Sequence, residues 1–281
     1  MTGTSADLRI AVVFFGITRS LRYTLDSIRR NLIEPARALT AQVRLVGHFY
    51  DQDQINNPRS GEVGALDPEE YRLLDLDEVE REAPGVCLEG YPMEALMRNG
   101  DPWRNKFRAF RNLVHQLHSL RRATLLAQVH RPDIVIFARP DLHYHTSAAP
   151  WLAELAASRA PQVLVPDWAQ WEGLNDRLAL VRGEGAIDAY GRRAGIMLDY
   201  CADGRMLHSE KLVQHAVRDY PVRMIPLYAS RVRCDGRVVL EDFRKGHGRG
   251  GGGKTMPFAD FVALEAVRPV TGKPMRDRRL G

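Results

Sequence analysis

Apolar positions along the chain form short unbroken runs that alternate with longer stretches of helical spacing, and this predicts strands and helices taking turns. Leu8 to Phe15 is continuously apolar and predicts the first strand. Leu21, Leu25, Ile28 and Leu32 then recur at intervals of three and four, the signature of an amphipathic helix from Leu21 to Leu32. Val43 to Tyr50 predicts the second strand and ends in Asp51-Gln52-Asp53. The charged, Pro-containing stretch from Asn56 to Pro84 reads as a surface insertion with one short helix near Pro68 to Leu74. Between Pro102 and His130, Phe107, Phe110, Val114, Leu117, Leu120 and Leu125 supply the apolar side of a long helix. Ile134 to Ala138 has no helical period and is mostly β-branched or aromatic, so it predicts a buried strand that Pro140 stops.

Downstream the pattern predicts a helix at Pro150 to Ser158, strands at Gln162 to Pro166 and Arg177 to Val181, and a helix from Ala186 to Tyr200. A further helix begins at Ser209, a strand covers Val222 to Pro226, and Val232 to Leu240 forms a hairpin turning at Asp235-Gly236. Strands alternating with helices in this way predict an α/β fold, with a mainly parallel central sheet flanked by helices. A single domain over residues 1–244 accounts for these elements. Residues 245–281, beginning with the Gly-rich, basic Lys245 to Lys254, are expected as a flexible tail or lid.

At 281 residues the chain is long enough to bury a substantial core. Its apolar runs fall well short of the ~20 residues that span a bilayer. Its first residues, Met-Thr-Gly-Thr-Ser-Ala-Asp, lack a basic segment followed by an apolar one, so a cytoplasmic protein is expected. Cys87, Cys201 and Cys234 form no C-x-x-C pair and read as reduced thiols. Arginines are spread through the chain, but much of the net charge of +5 lies after Arg244; it favours anionic ligands such as a diphosphate or an acidic membrane surface, and no nucleic-acid partner is expected.

The chemistry-bearing residues concentrate after predicted strands. The Ile134 strand runs into Arg139-Pro140-Asp141-Leu142-His143-Tyr144-His145, and the carboxyl ends of strands are where open α/β sheets bind ligands. Asp141 with His143 or His145 is a candidate holder of a divalent cation or a sugar hydroxyl; the plainer alternative has Asp141 capping the next turn. Gly16-Ile17-Thr18-Arg19 lies between the first strand and a helix, where amides and Arg19 can face a phosphate, or where Ser20 simply caps an ordinary turn. Its spacing is not G-x-G-x-x-G. Between Asp167 and Arg177 lie Trp168, Trp171, Glu172, Asn175 and Asp176, a mixture suited to sugars, with indole faces against pyranose C–H groups and carboxylates on hydroxyls. The alternative makes the tryptophans core anchors and Asp176-Arg177 a local salt bridge. Glu210 follows the natural N-cap Ser209, and a carboxylate ionised there can act as a general base, or can simply stabilise the helix start as first-turn acids often do. Gly248 to Thr255 matches the letters G-x-x-x-x-G-K-[ST], but only 26 residues follow it, too few for the rest of a P-loop domain.

Taken together, Phe15-Gly16-Ile17-Thr18-Arg19-Ser20, Gln116-Leu117-His118-Ser119, Arg139-Pro140-Asp141, Gly173 to Arg177 and His208-Ser209-Glu210 resemble a family of glycosyltransferase-like proteins from bacteria, fungi and large viruses. That family looks like GT-A-type nucleotide-sugar transferases. The resemblance implies a GT-A-like Rossmann-type domain, with a nucleotide-diphosphate sugar, UDP- or GDP-linked, lying across the strand ends. It implies that Gly16, Thr18, Arg19, Arg139, Asp141, Asn175 and Arg177 bind the donor, that Glu210 and Asp176 are catalytic, and that Trp168 and Trp171 stack on sugar or acceptor. Asp141 occupies the place of an Asp-x-Asp motif that holds Mn²⁺ or Mg²⁺. This chain offers one acid and His143 there instead of two acids, so metal ligation by Asp141 and His143 stands beside neutralisation of the diphosphate by Arg139. The implied activity is transfer to a glycan or lipid-linked acceptor in surface polysaccharide assembly, in the cytoplasm. Arg29, Arg30, Arg37 and the basic tail can hold such an enzyme at the inner membrane face, although a solvated surface is the default reading of these charges. Two other classes compete: a catalytically silent carbohydrate-binding domain, and a P-loop-type kinase or sulfotransferase using Lys254.

Overall fold

A computed structural model of the chain describes residues 8–57, 61–243, 254–267 and 270. Strand β1 (Ile10–Gly16) leads into α1 (Leu21–Ile28), a π-helical turn (Arg29–Ile33) and α2 (Glu34–Leu39). Then come β2 (Val43–Tyr50), the hairpin β3 (Gln54–Asn57) and β4 (Glu62–Ala65), a 3₁₀ turn (Glu70–Leu74) and β5 (Glu78–Glu82). The short helices α3 (Val86–Glu89) and α4 (Met93–Met97) precede the long α5 (Arg108–Val129), β6 (Ile134–Ala138) and β7 (Leu142–Tyr144). The next elements are α6 (Ala149–Ala157), β8 (Gln162–Pro166), β9 (Leu178–Arg182), α7 (Glu184–Gly191), a 3₁₀ turn (Arg193–Ile196), α8 (Met197–Ala202) and α9 (Ser209–Ala216). The chain closes with β10 (Val222–Ile225), β11 (Ala229–Arg231), β12 (Arg237–Val239), β13 (Thr255–Pro257) and α10 (Phe258–Val267).

Seven strands form the central sheet in the order β10-β8-β9-β6-β1-β2-β5. All its pairings are parallel except those of β9, which runs antiparallel to both β6 and β8. The alternation of side chains along β1 explains its unbroken apolar run, because both faces are covered. Ile10, Val12 and Phe14 pack with Leu21, Ile28 and Leu152 of α1 and α6, whereas Ala11, Val13 and Phe15 pack with Leu120, Ala123 and Ile187 of α5 and α7. Each fully buried side chain of this size contributes roughly 1.5–3 kcal/mol. The chain passes from β1 to β2 on one side and reaches β6 on the other, so the crevice where the order reverses lies at the carboxyl ends of β1 and β6.

Three local expectations change. The Asn56 to Pro84 stretch contributes an edge strand of the main sheet as well as a surface hairpin. Glu-Val-Glu-Arg-Glu of β5 has no apolar face to betray it, and its acids bond to the covering helix, Glu80 to Arg122 of α5 and Glu78 to His130 at its end. The first helix continues past Leu32 to Leu39. Pro35 brings no N–H and crowds the carbonyl one turn back, and the π-helical turn just before it widens the helix at that point. The single helix expected from Ala186 to Tyr200 is broken after Gly191, where a Cβ would lie 2.3 Å from Thr124 Oγ1 of α5.

The Gly-rich residues 244–253 lie outside the described residues. Residues 254–267 of the expected tail or lid return to the domain: β13 pairs with β12, and Phe261 of α10 is buried against Val232 and Val238. Among the described residues, no helix is long and apolar enough to cross a membrane.

Candidate functional site

Because β9 is antiparallel, its first residue pairs with the last residue of β6, Leu178 with Ala138. Asp176 and Arg177 therefore arrive beside Arg139 at the same sheet edge as Gly16 and Arg19, which follow β1. Asp141 sits at the centre, 1% exposed. Arg139 donates to it twice, Nε to Oδ1 at 2.9 Å and Nη2 to Oδ2 at 2.8 Å, and Arg19 Nη2 bonds Oδ2 as well. Burial alone raises the carboxyl's pKa, but Arg139 and Arg19, with Arg231 nearby, hold it well below the usual carboxylate range.

The network extends in both directions. Arg139 Nη1 donates to Gln116 Oε1 at 2.9 Å, and Gln116 Nε2 donates to Asp176 Oδ2 at 2.9 Å. Ser209 Oγ donates to the same Asp176 oxygen and ties it to the start of α9. Burial raises Asp176, and Arg177, the Ser209 hydroxyl and Arg139 outweigh it, so this carboxylate also stays ionised. On the other side, Arg19 and Arg233 both bond Glu62 Oε2 at 2.9 Å, and Cys234 N–H donates to Oε1. Arg177 reaches Glu241 at 3.3 Å.

Arg231 differs from its neighbours. Among the described residues no carboxylate pairs with it, although it remains partly open to solvent. Burial, followed by Arg177, Arg139, Arg19 and Arg233, drives its pKa well below the ordinary guanidinium value. Five guanidiniums, from Arg19, Arg139, Arg177, Arg231 and Arg233, thus face four carboxylates, from Glu62, Asp141, Asp176 and Glu241. The surplus positive charge lies at Arg231, and a multiply charged anion is the ligand that such a cluster fits.

The remaining candidates divide. Gly16 holds φ +107° and donates its N–H to Ser119 Oγ, and Thr18 is buried at the same strand end. Asn175 is fully buried and braces the loop, donating to Trp168 O at 2.8 Å and accepting from Arg177 N–H at 2.9 Å. Trp168 is 2% exposed, and its Nε1 donates to Leu227 O at 2.8 Å. A buried indole has no free face for a sugar, so Trp168 is a core anchor, as in the alternative reading. Trp171 is half-buried in a loop where Ala169, Trp171 and Glu172 all take positive φ, of +51°, +41° and +66°. Glu210 opens α9, with Oε2 3.3 Å from His208 Nδ1. His208 and Lys211 line a cavity of about 580 Å³ together with Glu172, Tyr200, Arg205 and His215.

Asp141 and His143 do not come together as ligands. His143 Nε2 turns to Glu265 Oε2 at 2.9 Å, and His145 Nδ1 meets Glu265 Oε1 at 2.5 Å. Both Asp141 oxygens are engaged by guanidiniums, so the donor set does not fit an Asp-x-Asp-type Mn²⁺ or Mg²⁺ site. Lys254 and Thr255 do not precede a helix directly, because Thr255 opens β13 and accepts from Arg237 Nε at 2.8 Å; this geometry is not that of a P-loop.

Sequence reasoning passed over Glu62, Arg231 and Arg233, which β4, β11 and the segment just after β11 bring in from far along the chain. The alternation of Arg231 with Arg233 just after Ser230 was the available signal. Asp167 directly follows β8, and burial pushes it up to about 6; its Oδ1 has no hydrogen-bond partner.

No family model matches the chain, and no curated protein sequence matches it. Among solved structures it is similar to mouse xyloside xylosyltransferase 1 in the apo form, with 12% identity, 78% of this chain and 84% of that chain covered, and a TM-score of 0.40. A likeness that loose assigns no function.

Proposed function

We propose that this protein is a glycosyltransferase whose nucleotide-diphosphate-sugar donor lies across the carboxyl ends of β1 and β6. The observation that carries this reading is Arg231, an arginine with no carboxylate partner among the described residues, set among four others where the strand order reverses. The departing diphosphate gains negative charge as the glycosidic bond breaks, and fixed guanidiniums from Arg231, Arg19 and Arg139 stabilise that charge more than they stabilise the bound donor. In this reading the arginines do the work assigned elsewhere to a divalent ion. The cavity lined by His208 and Lys211 receives the acceptor, a glycan or lipid-linked glycan, and Glu210, which touches His208 behind that lining, takes the proton of its attacking hydroxyl. Asp176, fixed by Ser209 and Gln116, faces the donor sugar. The cytoplasmic face of a membrane and surface polysaccharide assembly are the setting that such an acceptor implies.

A thermal-shift series of UDP-, GDP-, CMP- and dTDP-sugars, with and without EDTA, tests the proposal on wild type and on Arg231→Met. At ~100-fold excess over Kd a true donor stabilises the native state by about 2.7 kcal/mol. The expected result is stabilisation by one nucleotide-diphosphate sugar that survives EDTA and disappears in Arg231→Met. Failure of every nucleotide-sugar to stabilise wild type, or an equal shift in the variant, sinks the reading.

A further inference from the structure

A second cluster, unrelated to the arginines, lies between β2, β5 and α5. His48 of β2, Glu82 of β5 and His118 of α5 direct one atom each towards a common point. His48 Nε2 is 3.9 Å from Glu82 Oε1, and His118 Nε2 is 3.2 Å from the same oxygen. None of the three buried atoms makes a well-directed hydrogen bond, although His118 Nε2 and Glu82 Oε1 lie within reach of each other. His48 is 0% exposed.

The protonation of His48 follows from its neighbour. Ser119 Oγ lies 2.7 Å from the His48 carbonyl oxygen, and only the serine has a hydrogen to put between those two oxygens. With its one hydrogen committed, Ser119 Oγ accepts from Gly16 N–H at 2.8 Å and from His48 Nδ1 at 3.0 Å. Nδ1 therefore carries the ring hydrogen, and Nε2 points a lone pair into a buried space shared with a carboxylate oxygen. Two acceptors facing each other out of water repel, and leaving such atoms unpaired is costly. His118 is oriented the same way, its Nδ1 meeting Tyr91 Oη at 3.1 Å, so that Nε2 faces inward. Arg122, the nearest basic side chain on α5, is already paired with Glu80.

We infer that His48, Glu82 and His118 bind a divalent transition metal, zinc foremost, with Ser119 and Tyr91 orienting the two imidazoles from behind. Zinc–ligand distances near 2.0–2.1 Å in a tetrahedron put ligand atoms roughly 3.3 Å apart, and the separations of 3.2 and 3.9 Å bracket that value. Two neutral imidazoles and one carboxylate suit zinc rather than magnesium or calcium, which prefer all-oxygen sites. Partners on the far ring nitrogen are the usual supports of metal-binding histidines. Glu82 and His118 are 24% and 17% exposed at the side chain, which leaves the fourth position open to water. Cys87, whose Sγ meets Tyr50 Oη at 3.4 Å, neighbours Glu82 without joining the triad.

The test needs no nucleotide, so it is independent of the glycosyltransferase reading. Elemental analysis of protein purified without chelator is expected to find one zinc per chain. Replacement by Co²⁺ is expected to give the visible absorption of a four- or five-coordinate site in wild type. Glu82→Gln and His118→Ala should abolish both signals, and Tyr91→Phe should weaken zinc binding by about 10–100-fold. His143→Ala, in the other histidine–carboxylate group, should leave both signals unchanged. Absence of retained zinc and of a Co²⁺ spectrum in wild type overturns the assignment, as does zinc that persists at full stoichiometry in Glu82→Gln.

Discussion

Arg139 grips Asp141 through two parallel hydrogen bonds of 2.9 and 2.8 Å, with only Pro140 between them in the chain. Arg19 bonds the same carboxylate from the far side of the strand order's reversal. Asp141 is thus the counter-ion that holds a buried guanidinium, Arg19, and a half-buried one, Arg139, at the strand ends. Asp141→Ala should cost roughly 3–5 kcal/mol, because both arginines lose their shared charge partner. Urea unfolding of wild type and variant measures this, and a loss below ~1 kcal/mol would show that water satisfies the arginines instead. Loss of ligand binding in Asp141→Ala would then reflect folding as much as recognition, which is why Arg231→Met is the cleaner probe.

Gly173 is where the tryptophan-bearing loop touches the amino end of α9. A Cβ there would lie 2.3 Å from both the carbonyl carbon and oxygen of Glu210 and 2.5 Å from Lys211 N. All three are backbone atoms, so no side chain can swing away. Gly173→Ala should destabilise the fold by about 1–3 kcal/mol and strain the Leu174 N–H to Glu210 O hydrogen bond of 3.0 Å. If Glu210 is the base, turnover in the variant should fall more than donor affinity, since α9 moves while the arginines stay. Equal stability of variant and wild type in thermal melts would refute the contact.

The sheet was legible in the sequence where burial on both faces makes strands uniformly apolar, as in β1, β6 and β8, and the Asp235-Gly236 turn was legible because Gly236 takes φ +78°. The edge strand β5 was not, since its charged residues carry no burial pattern. Within the site, Arg19, Arg139, Asp141, Asp176 and Arg177 could be found because each lies at the end of a recognisable strand. Glu62 and Arg231 belong to a hairpin and a three-residue strand, and only the tertiary fold joins them to the rest. Residue type did not separate Trp168, a core anchor, from the half-buried Trp171, because both occur in the same polar stretch.

Asp167 contributes a pH dependence of unusual sign. Burial raises its pKa from 3.8 to about 6, so the folded state holds the proton more tightly than the unfolded chain does. Its stabilising contribution is fully present below pH 3.8 and is lost as pH rises towards 6. At pH 7 the ionised, partly unpaired carboxylate is a liability, and Asp167→Asn should gain about 1–2 kcal/mol once partial solvent screening is allowed for. Below pH 4 the gain should vanish. Melting temperatures at pH 7 and pH 4 decide it; a gain of equal size at both would assign the effect to something other than ionisation.

Glu265 fastens α10 to the domain by giving one carboxylate oxygen to His143 and the other to His145, whose Nε2 in turn meets Ser230 Oγ at 2.9 Å. Phe261 packs against both imidazoles, with ring centroids 5.6 and 5.5 Å away. Burial acts to raise the Glu265 pKa, but the two histidine hydrogen bonds prevail and bring it down to about 2 from 4.5. A carboxylate depressed in this way contributes stability that is present above pH 4.5 and is lost as pH falls towards 2. Burial also lowers His145, so forcing a proton onto it below its ordinary value of 6.5 works in the same direction. Acidification should therefore release α10 before the central sheet unfolds, beginning below pH 6.5 as His145 becomes costly to keep neutral. Glu265→Gln should weaken the docking at pH 7 by about 1–2 kcal/mol after discounting for solvent screening. Hydrogen exchange of the α10 amides reads this directly: protection in wild type should fall on going from pH 7 to pH 4, after correction for intrinsic exchange, and should already be reduced at pH 7 in the variant. Protection that is the same at both pH values, or unchanged in Glu265→Gln, would mean that Phe261 and the β12–β13 pairing hold the helix without the histidine clasp.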